Sequence, residues 1–292
     1  MTDHLMFQVQ HISNRSRSPE MGDKGRLVGP TATAERVRLF LKNETFLGSL
    51  SDTSLDALIR RGHVRKYSPG DFLCRRGDRA DTVMVIITGW IKITNSNADG
   101  KEVVLNFLGA GDTIGEIGVL DGNVRTADAI ALTETEVFLV YARDLLPILA
   151  AHPQTLIEIV HMLCEKLRAA SAIIEDSSLD MRRRIAKGLL RLAWQHGRTS
   201  KEGIRVNLRA SQSELGGYLG LSRENVNRQL CELRDANVIV NDGPQIIIIN
   251  EPALYEIAEG PLARTWSRSG CLGEAGMTRR MGIGATASAV LS

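Results

Sequence analysis

The sequence predicts an α+β chain in three parts. An N-terminal β-roll of jelly-roll type comes first, then one long helix, then a small C-terminal unit of short helices and a hairpin. Three observations carry this. Between about residues 46 and 145, short apolar runs are broken by glycines. From Pro153, apolar residues recur at alternating steps of four and three for some two dozen positions. Beyond residue 180, two short segments with helix-starting residues flank a glycine turn and precede a hairpin pattern. At 292 residues the chain is too long for a single ordinary core and suits two units plus tails.

Residues 1–35 are read as a disordered leader, polar and without apolar period, and residues 261–292 as a disordered tail of Gly, Ala, Ser and Arg. The roll is assigned 36–150, the long helix 151–180 and the C-terminal unit 181–260. Composition is that of a water-soluble globular protein, 43% hydrophobic and 24% charged. No run of 18 or more apolar residues occurs and the N-terminus has no signal-peptide core, so a cytoplasmic protein without a membrane partner is expected. Cys74, Cys164, Cys231 and Cys271 include no Cys-x-x-Cys pair, and the six histidines have no ligand spacing, so no metal site is expected. The net charge of +2 does not exclude nucleic acid, because a local basic face is what matters.

In the roll, Thr82–Thr88, Trp90–Thr94, Glu102–Leu108 and Thr135–Tyr141 read as strands, with Ser54–Gly62 as a short helix packed outside them. The long helix carries a stripe at Leu156, Val160, Leu163, Leu167, Ala170 and Ile174, the spacing of a coiled-coil seam. A second apolar set, Ile159, Met162, Ala169 and Ile173, lies on a neighbouring face. A helix with two apolar faces needs two surfaces to cover it, so one is assigned to the roll and the other to a second copy of the chain. The alternative is a single amphipathic helix buried in a monomer. Met181–His196 reads as a further helix with a basic start.

Residues 207–240 read NLRASQSELGGYLGLSRENVNRQLCELRDANVIV. Ser211 followed by Glu214 is a capping box, placing a helix start at Gln212. Gly220 supplies the left-handed residue that ends it. Ser222 caps a second helix from Arg223 to about Asp235, with its core stripe at Val226, Leu230 and Leu233. Val238–Val240 and Ile246–Asn250 flank Asn-Asp-Gly-Pro, a hairpin able to form a wing. Together these make a winged helix-turn-helix. Arg223 with Asn227, and Glu224 with Arg228, form adjacent outward ridges where such a helix enters the major groove. Arg can bond guanine O6 and N7 together and Glu can accept from cytosine N4. The plainer reading is a solvated face with a Glu224–Arg228 ion pair.

Residues 115–127 read GEIGVLDGNVRTA. Glycine amides can form an anion nest, Arg125 offers a charged fork to a phosphate, and the Thr126 hydroxyl adds a donor. Glu116 repels an anion but can accept from a ribose hydroxyl. A phosphate and a sugar side by side inside a roll indicate a compact nucleotide. The plainer reading is a β-turn with a surface Glu–Arg pair.

This segment resembles the phosphate-binding cassette of cyclic-nucleotide-binding domains, with its Gly-Glu start and Arg-Ser/Thr-Ala end. Roll, long helix and winged helix-turn-helix in this order resemble the cyclic-AMP receptor protein (CRP/FNR) family, over about residues 40–258. Ser222-Arg223-Glu224-Asn225-Val226-Asn227-Arg228 is similar to that family's recognition-helix signature. The resemblance implies an allosteric DNA-binding homodimer. Its ligand site would be Gly115, Glu116, Ile117, Gly118, Arg125 and Thr126, with Ser171 on the long helix. Glu116 would hold the ribose 2′-hydroxyl, and Arg125 with Thr126 the cyclic phosphate. Cyclic AMP is the first candidate effector and cyclic GMP the second. On DNA, Ser211, Gln212, Ser222, Arg223, Glu224, Asn227 and Arg228 would contact a pseudo-palindromic double-stranded operator, Arg223, Glu224 and Arg228 reading a TGTGA-like half-site. RNA polymerase is a further implied partner.

Two departures count. The family's adenine-contacting Thr-Ser pair is here within Ala169-Ala170-Ser171, so the threonine is missing and the effector's base stays open. Residues 1–73 lack cysteine, which argues against the family's iron–sulfur sensors. Two other functions compete: a same-fold regulator whose effector is not a cyclic nucleotide or that is constitutively active, and an enzyme with a regulatory nucleotide domain. Against the enzyme, the chain has no P-loop, no Gly-x-Ser-x-Gly and no His-Glu-x-x-His.

Overall fold

A computed structural model describes residues 26–27, 32–96, 102–242 and 245–260. The expected tail and most of the expected leader lie outside the described residues. Two described segments correct the leader: Arg26–Leu27 form a short strand, and helix α1 runs Ala32–Glu44, starting inside the span assigned to it. Val37 and Leu41, one helical turn apart, are buried against the roll, so local apolar period and packing both favour helix there.

The roll is two antiparallel sheets with helices on one side. After a two-residue strand β1, Arg26–Leu27, and α1, helix α2 spans Asp52–Arg61, capped by the Ser51 hydroxyl. Strands β2 His63–Tyr67, β3 Phe72–Cys74, β4 Thr82–Thr88, β5 Ile91–Ser96, β6 Glu102–Leu108 and β7 Thr113–Ile114 follow. Then come a short helix α3, Glu116–Asp121, and strands β8 Asp128–Ala131 and β9 Thr135–Tyr141. The sheets are ordered β1-β2-β9-β4-β7 and β3-β8-β5-β6. Strand β4 shows why its sequence lacks polar alternation: Val83, Val85 and Ile87 enter the core beneath the helices, while Met84 and Ile86 enter the core between the sheets. A strand buried on both faces reads as a continuous apolar run.

Helix α4, Ala142–Ala151, leads into the long helix α5, Pro153–Asp176. Pro153 sits in the first turn, where a missing N–H costs no hydrogen bond. The two apolar faces divide only in part as the sequence reading had them. Ile159 is buried, and Leu156, Met162 and Leu163 pack with it on the roll. Val160, Leu167 and Ile174 are 55%, 68% and 72% exposed. The stripe thus divides, with Leu156 and Leu163 turned towards the roll.

Asp180 caps α6, Met181–His196. A hairpin of β10 Gly197–Ser200 and β11 Gly203–Val206, absent from the sequence reading, precedes α7, Gln212–Leu219, and α8, Arg223–Asp235. The wing is β12 Ile239–Asp242 and β13 Gln245–Ile248, in a sheet ordered β10-β11-β13-β12, and α9, Glu251–Glu259, closes the unit. The capping box at Ser211 and Glu214 is present with both hydrogen bonds, and Gly220 ends α7 at φ +65°. Ile185, Leu189, Leu215, Val226, Leu230 and Leu233 form the centre of this unit's core. That core also contains Val104 and Phe107 of β6, so roll and C-terminal unit share apolar packing.

Candidate functional site

The cassette folds as the helix α3 between two left-handed glycines, Gly115 at φ +85° and Gly122 at φ +74°, where the sequence reading had a tight turn. Gly115 is needed for a second reason. A Cβ there would lie 1.8 Å from Arg125 Nη1, so only glycine lets the guanidinium pass. Gly118 is closely covered by Ala80 and the Val124 carbonyl. Ile117 and Thr126 lie exposed at the rim.

Arg125 corrects an expectation. Its guanidinium is buried, 5% exposed, and is turned inward. Nη1 donates to the Gly115 carbonyl at 3.1 Å, and Nη2 to the Thr82 carbonyl at 2.8 Å and the Thr82 hydroxyl at 2.7 Å. The fork thus staples the cassette to β4. Its Nε has no partner, nor has the buried Thr113 Oγ1 close by in the fold.

Glu116 is also buried, and Lys166 of α5 meets it. Lys166 Nζ donates to Glu116 Oε1 at 2.6 Å and to the Thr113 carbonyl at 2.9 Å. The sequence reading missed Lys166, which sits off the apolar stripe with nothing local to separate it from any solvated lysine. Its effect is electrostatic. Glu116 alone would repel an anion, and Lys166 paired to it offsets that charge. Behind Glu116 lies a small apolar pocket lined by Phe46, Val83, Leu145 and Met162 among others.

Ser171 is not brought to this site within one chain. It is exposed, and five residues beyond Lys166 places it about 140° round the helix. It shares the exposed face of Leu167 and Ile174.

In the C-terminal unit, Ser222, Arg223, Glu224, Asn227 and Arg228 are all exposed along one side of α8. Gln212 Nε2 donates to Asn227 Oδ1 at 3.0 Å, tying the start of α7 to that face. Ser211, Gln212, Ser213 and Arg223 line a shallow cleft between the starts of the two helices, Ser213 being an addition to the expected set. Arg228 donates to Asn225 Oδ1 at 3.2 Å, not to Glu224, so the ion pair of the plainer reading does not form. Glu224 accepts from its own backbone N–H and from the Ser222 hydroxyl, which hold its carboxyl below the usual range. It is charged at neutral pH and able to accept from a base amino group.

A cluster of charged side chains in the roll, Glu116, Arg125 and Lys166, joined by one long helix to an exposed helix-turn-helix face, is the layout of a ligand-responsive, DNA-binding transcription regulator. Residues 64–152 match the cyclic nucleotide-binding domain model and residues 183–257 the Crp-like helix-turn-helix domain model. The cAMP-activated global transcriptional regulator CRP of Salmonella typhimurium is 30% identical over 201 residues, 68% of this chain and 95% of that protein. The CRP-like cAMP-activated global transcriptional regulator of Mycobacterium tuberculosis is 27% identical over 203 residues, 69% of this chain and 91% of its own. The chain belongs to the CRP/FNR family of transcription regulators. Its fold matches that of FixK2 from Bradyrhizobium japonicum, with a TM-score of 0.61 and 23% identity over 67% of this chain and 96% of that one. The relatives are regulators of transcription, not enzymes.

Proposed function

We propose that this protein binds a cyclic nucleotide, cyclic AMP before cyclic GMP, between α3 and α5, and in response binds a pseudo-palindromic operator as a homodimer. The observation that carries the ligand reading is the cassette's charged cluster: Glu116 paired with Lys166 of α5, and Arg125 held against the Gly115 carbonyl beside them. Gly115, Ile117 and Gly118 shape the cassette, Glu116 accepts the ribose hydroxyl, and Arg125 with Thr126 holds the phosphate. Ser171, on the exposed face of α5, serves the pocket of the second copy. That face, with Val160, Leu167 and Ile174, is the dimer seam. Ser211, Gln212, Ser222 and Asn227 position the unit on phosphates and groove edges, while Arg223, Glu224 and Arg228 read bases. RNA polymerase recruitment and a cytoplasmic location complete the proposal; among the described residues no helix is long and apolar enough to cross a membrane.

A second reading keeps the fold and changes the effector. It is favoured by Ala170 at a position of the long helix where the resemblance would put an adenine-contacting threonine, and by the inward turn of Arg125. Titrating cyclic AMP, cyclic GMP and buffer into the purified protein, with operator affinity measured in each, separates the two. Heat of binding and tighter DNA binding with one cyclic nucleotide support the first. No response to either supports the second.

A further inference from the structure

Helix α7 carries a glycine that its local structure does not require. Gly217 lies in the last turn of α7 and has no positive φ to call for glycine, so alanine would suit the helix better. The reason for it lies in the other half of the molecule. A Cβ on Gly217 would stand 3.1 Å from Val104 Cγ2 and 3.6 Å from Val104 N, so α7 rests directly on strand β6 of the roll.

The strand is shaped for this contact. Its register with β5 shifts between Ile93, opposite Asn106, and Thr94, opposite Val104, leaving Leu105 unmatched. This bulge breaks the two-residue alternation, so Val104 and Phe107, three apart, both enter the C-terminal core. Phe107 is fully buried, its ring centroid 5.3 Å from that of Tyr218. At the edge, Lys92 of β5 pairs with Glu102 at 2.8 Å and with Glu214, the capping-box residue of α7, at 3.2 Å. His196 Nε2 lies 3.2 Å from the Phe107 carbonyl, and its ring meets Trp90 edge-on at 4.8 Å. A buried apolar centre with an ion-paired rim is the anatomy of a specific interface. Docked in this way, the chain still exposes Arg223, Glu224, Asn227 and Arg228 to DNA, and Val160, Leu167 and Ile174 to a second copy.

We propose that strand β6 is a docking rail holding the DNA-binding unit in the placement that reads an operator, with Gly217 as its positioning residue and Lys92–Glu214 as its clasp. A two-fold operator demands a set distance between two recognition helices. A unit free to swing must be ordered when it binds, which weakens affinity without changing which bases are read. The inference rests on base reading by α8, and the test separates the two.

The test uses the full-length protein and an operator selected from random DNA with wild type, with and without cyclic AMP. Gly217→Gln must press Val104 aside on the rail, yet glutamine suits a helix better than glycine. Operator affinity is expected to fall about tenfold, within the range of interdomain couplings, with the selected consensus unchanged and the helical circular dichroism of the folded protein retained. Lys92→Glu lies on the roll, leaves that unit's own sequence intact and sets a third carboxylate beside Glu102 and Glu214; it should act in the same direction. Adding Val104→Ala to Gly217→Ala clears space for the new methyl and should restore affinity lost by Gly217→Ala alone. Wild-type affinity in both Gly217→Gln and Lys92→Glu overturns the rail, and tighter DNA binding by Lys92→Glu shows that the contact restrains the unit instead. Failure of wild type to select any consensus overturns the reading of α8, and the rail with it.

Discussion

Replacing Arg125 by leucine removes two different things, and the geometry sets their sizes. The first is a staple. The guanidinium makes three hydrogen bonds, to Gly115 O, Thr82 O and Thr82 Oγ1, from a position 5% exposed. Charge-assisted bonds each contribute roughly 1.5–3 kcal/mol, but the freed Thr82 groups can repair part of the loss, so about 2–4 kcal/mol is expected. For a unit of this size that lowers the unfolding midpoint by on the order of 10 °C. The fold is therefore weakened by this substitution, contrary to what an exposed phosphate fork would imply. The second loss is the ligand's anion partner, a further 2–4 kcal/mol or so, which is roughly 30- to 1000-fold in affinity. Arg125→Lys keeps the charge without the fork and should fall between. Calorimetry with cyclic AMP, run well below the lowered midpoint, isolates the binding term, and a thermal scan isolates the staple. Wild-type affinity in Arg125→Leu refutes the anion role; an unchanged midpoint refutes the staple.

Three further outcomes are expected. Leu167→Glu with Ile174→Glu, both on the exposed face of α5, should leave folded monomers by native mass measurement at micromolar concentration, where wild type is dimeric; a monomeric wild type removes the seam. Arg228→Ala should cost roughly 1–3 kcal/mol and relax one base position in selection from random DNA, and an equally strict consensus would mean that Arg228 reads no base. The third concerns pH. Burial works against the charge of Lys92, but Glu102 and Glu214 outweigh it and hold the ammonium above its ordinary range. Burial likewise opposes ionisation of Glu214, but the Ser211 amide and hydroxyl and then Lys92 hold its carboxyl below the usual value. A raised lysine stabilises below its unfolded pKa of about 10.4 and loses this as pH rises through the folded value; a lowered glutamate stabilises above about 4.3 and loses this as pH falls. The clasp should therefore be constant from about pH 5 to 10, and its contribution to unfolding free energy, measured as wild type against Lys92→Glu, should shrink below about pH 4. A drop near pH 6 would assign the interface to another titrating group.

Sequence alone determined the features whose causes are local. Helices α7 and α8 begin at Gln212 and Arg223 and end where expected, because Ser211, Glu214, Gly220 and Ser222 satisfy helix ends within a few residues of themselves. Strands β4 and β9 match their apolar runs because nearly all of those residues are buried whichever partner covers them, and β6 matches too although its Val103 and Leu105 are exposed. Shorter strands such as β3 and β7, and the hairpin β10–β11, carried too few residues for a period to show. Tertiary structure decided what depends on residues far apart in the chain. Lys166 reaches Glu116 across 50 positions, and Arg125 turns towards Thr82 across 43, so neither the charge balance of the pocket nor the direction of its fork could be read from the cassette. The stripe of α5 shows a helix with two faces, but only its packing tells Leu163, against the roll, from Leu167, exposed. Gly217 is the sharpest instance: by its neighbours in sequence it merely weakens a helix, and the strand 113 residues earlier that a larger side chain would press against becomes its neighbour only when roll and DNA-binding unit fold against each other.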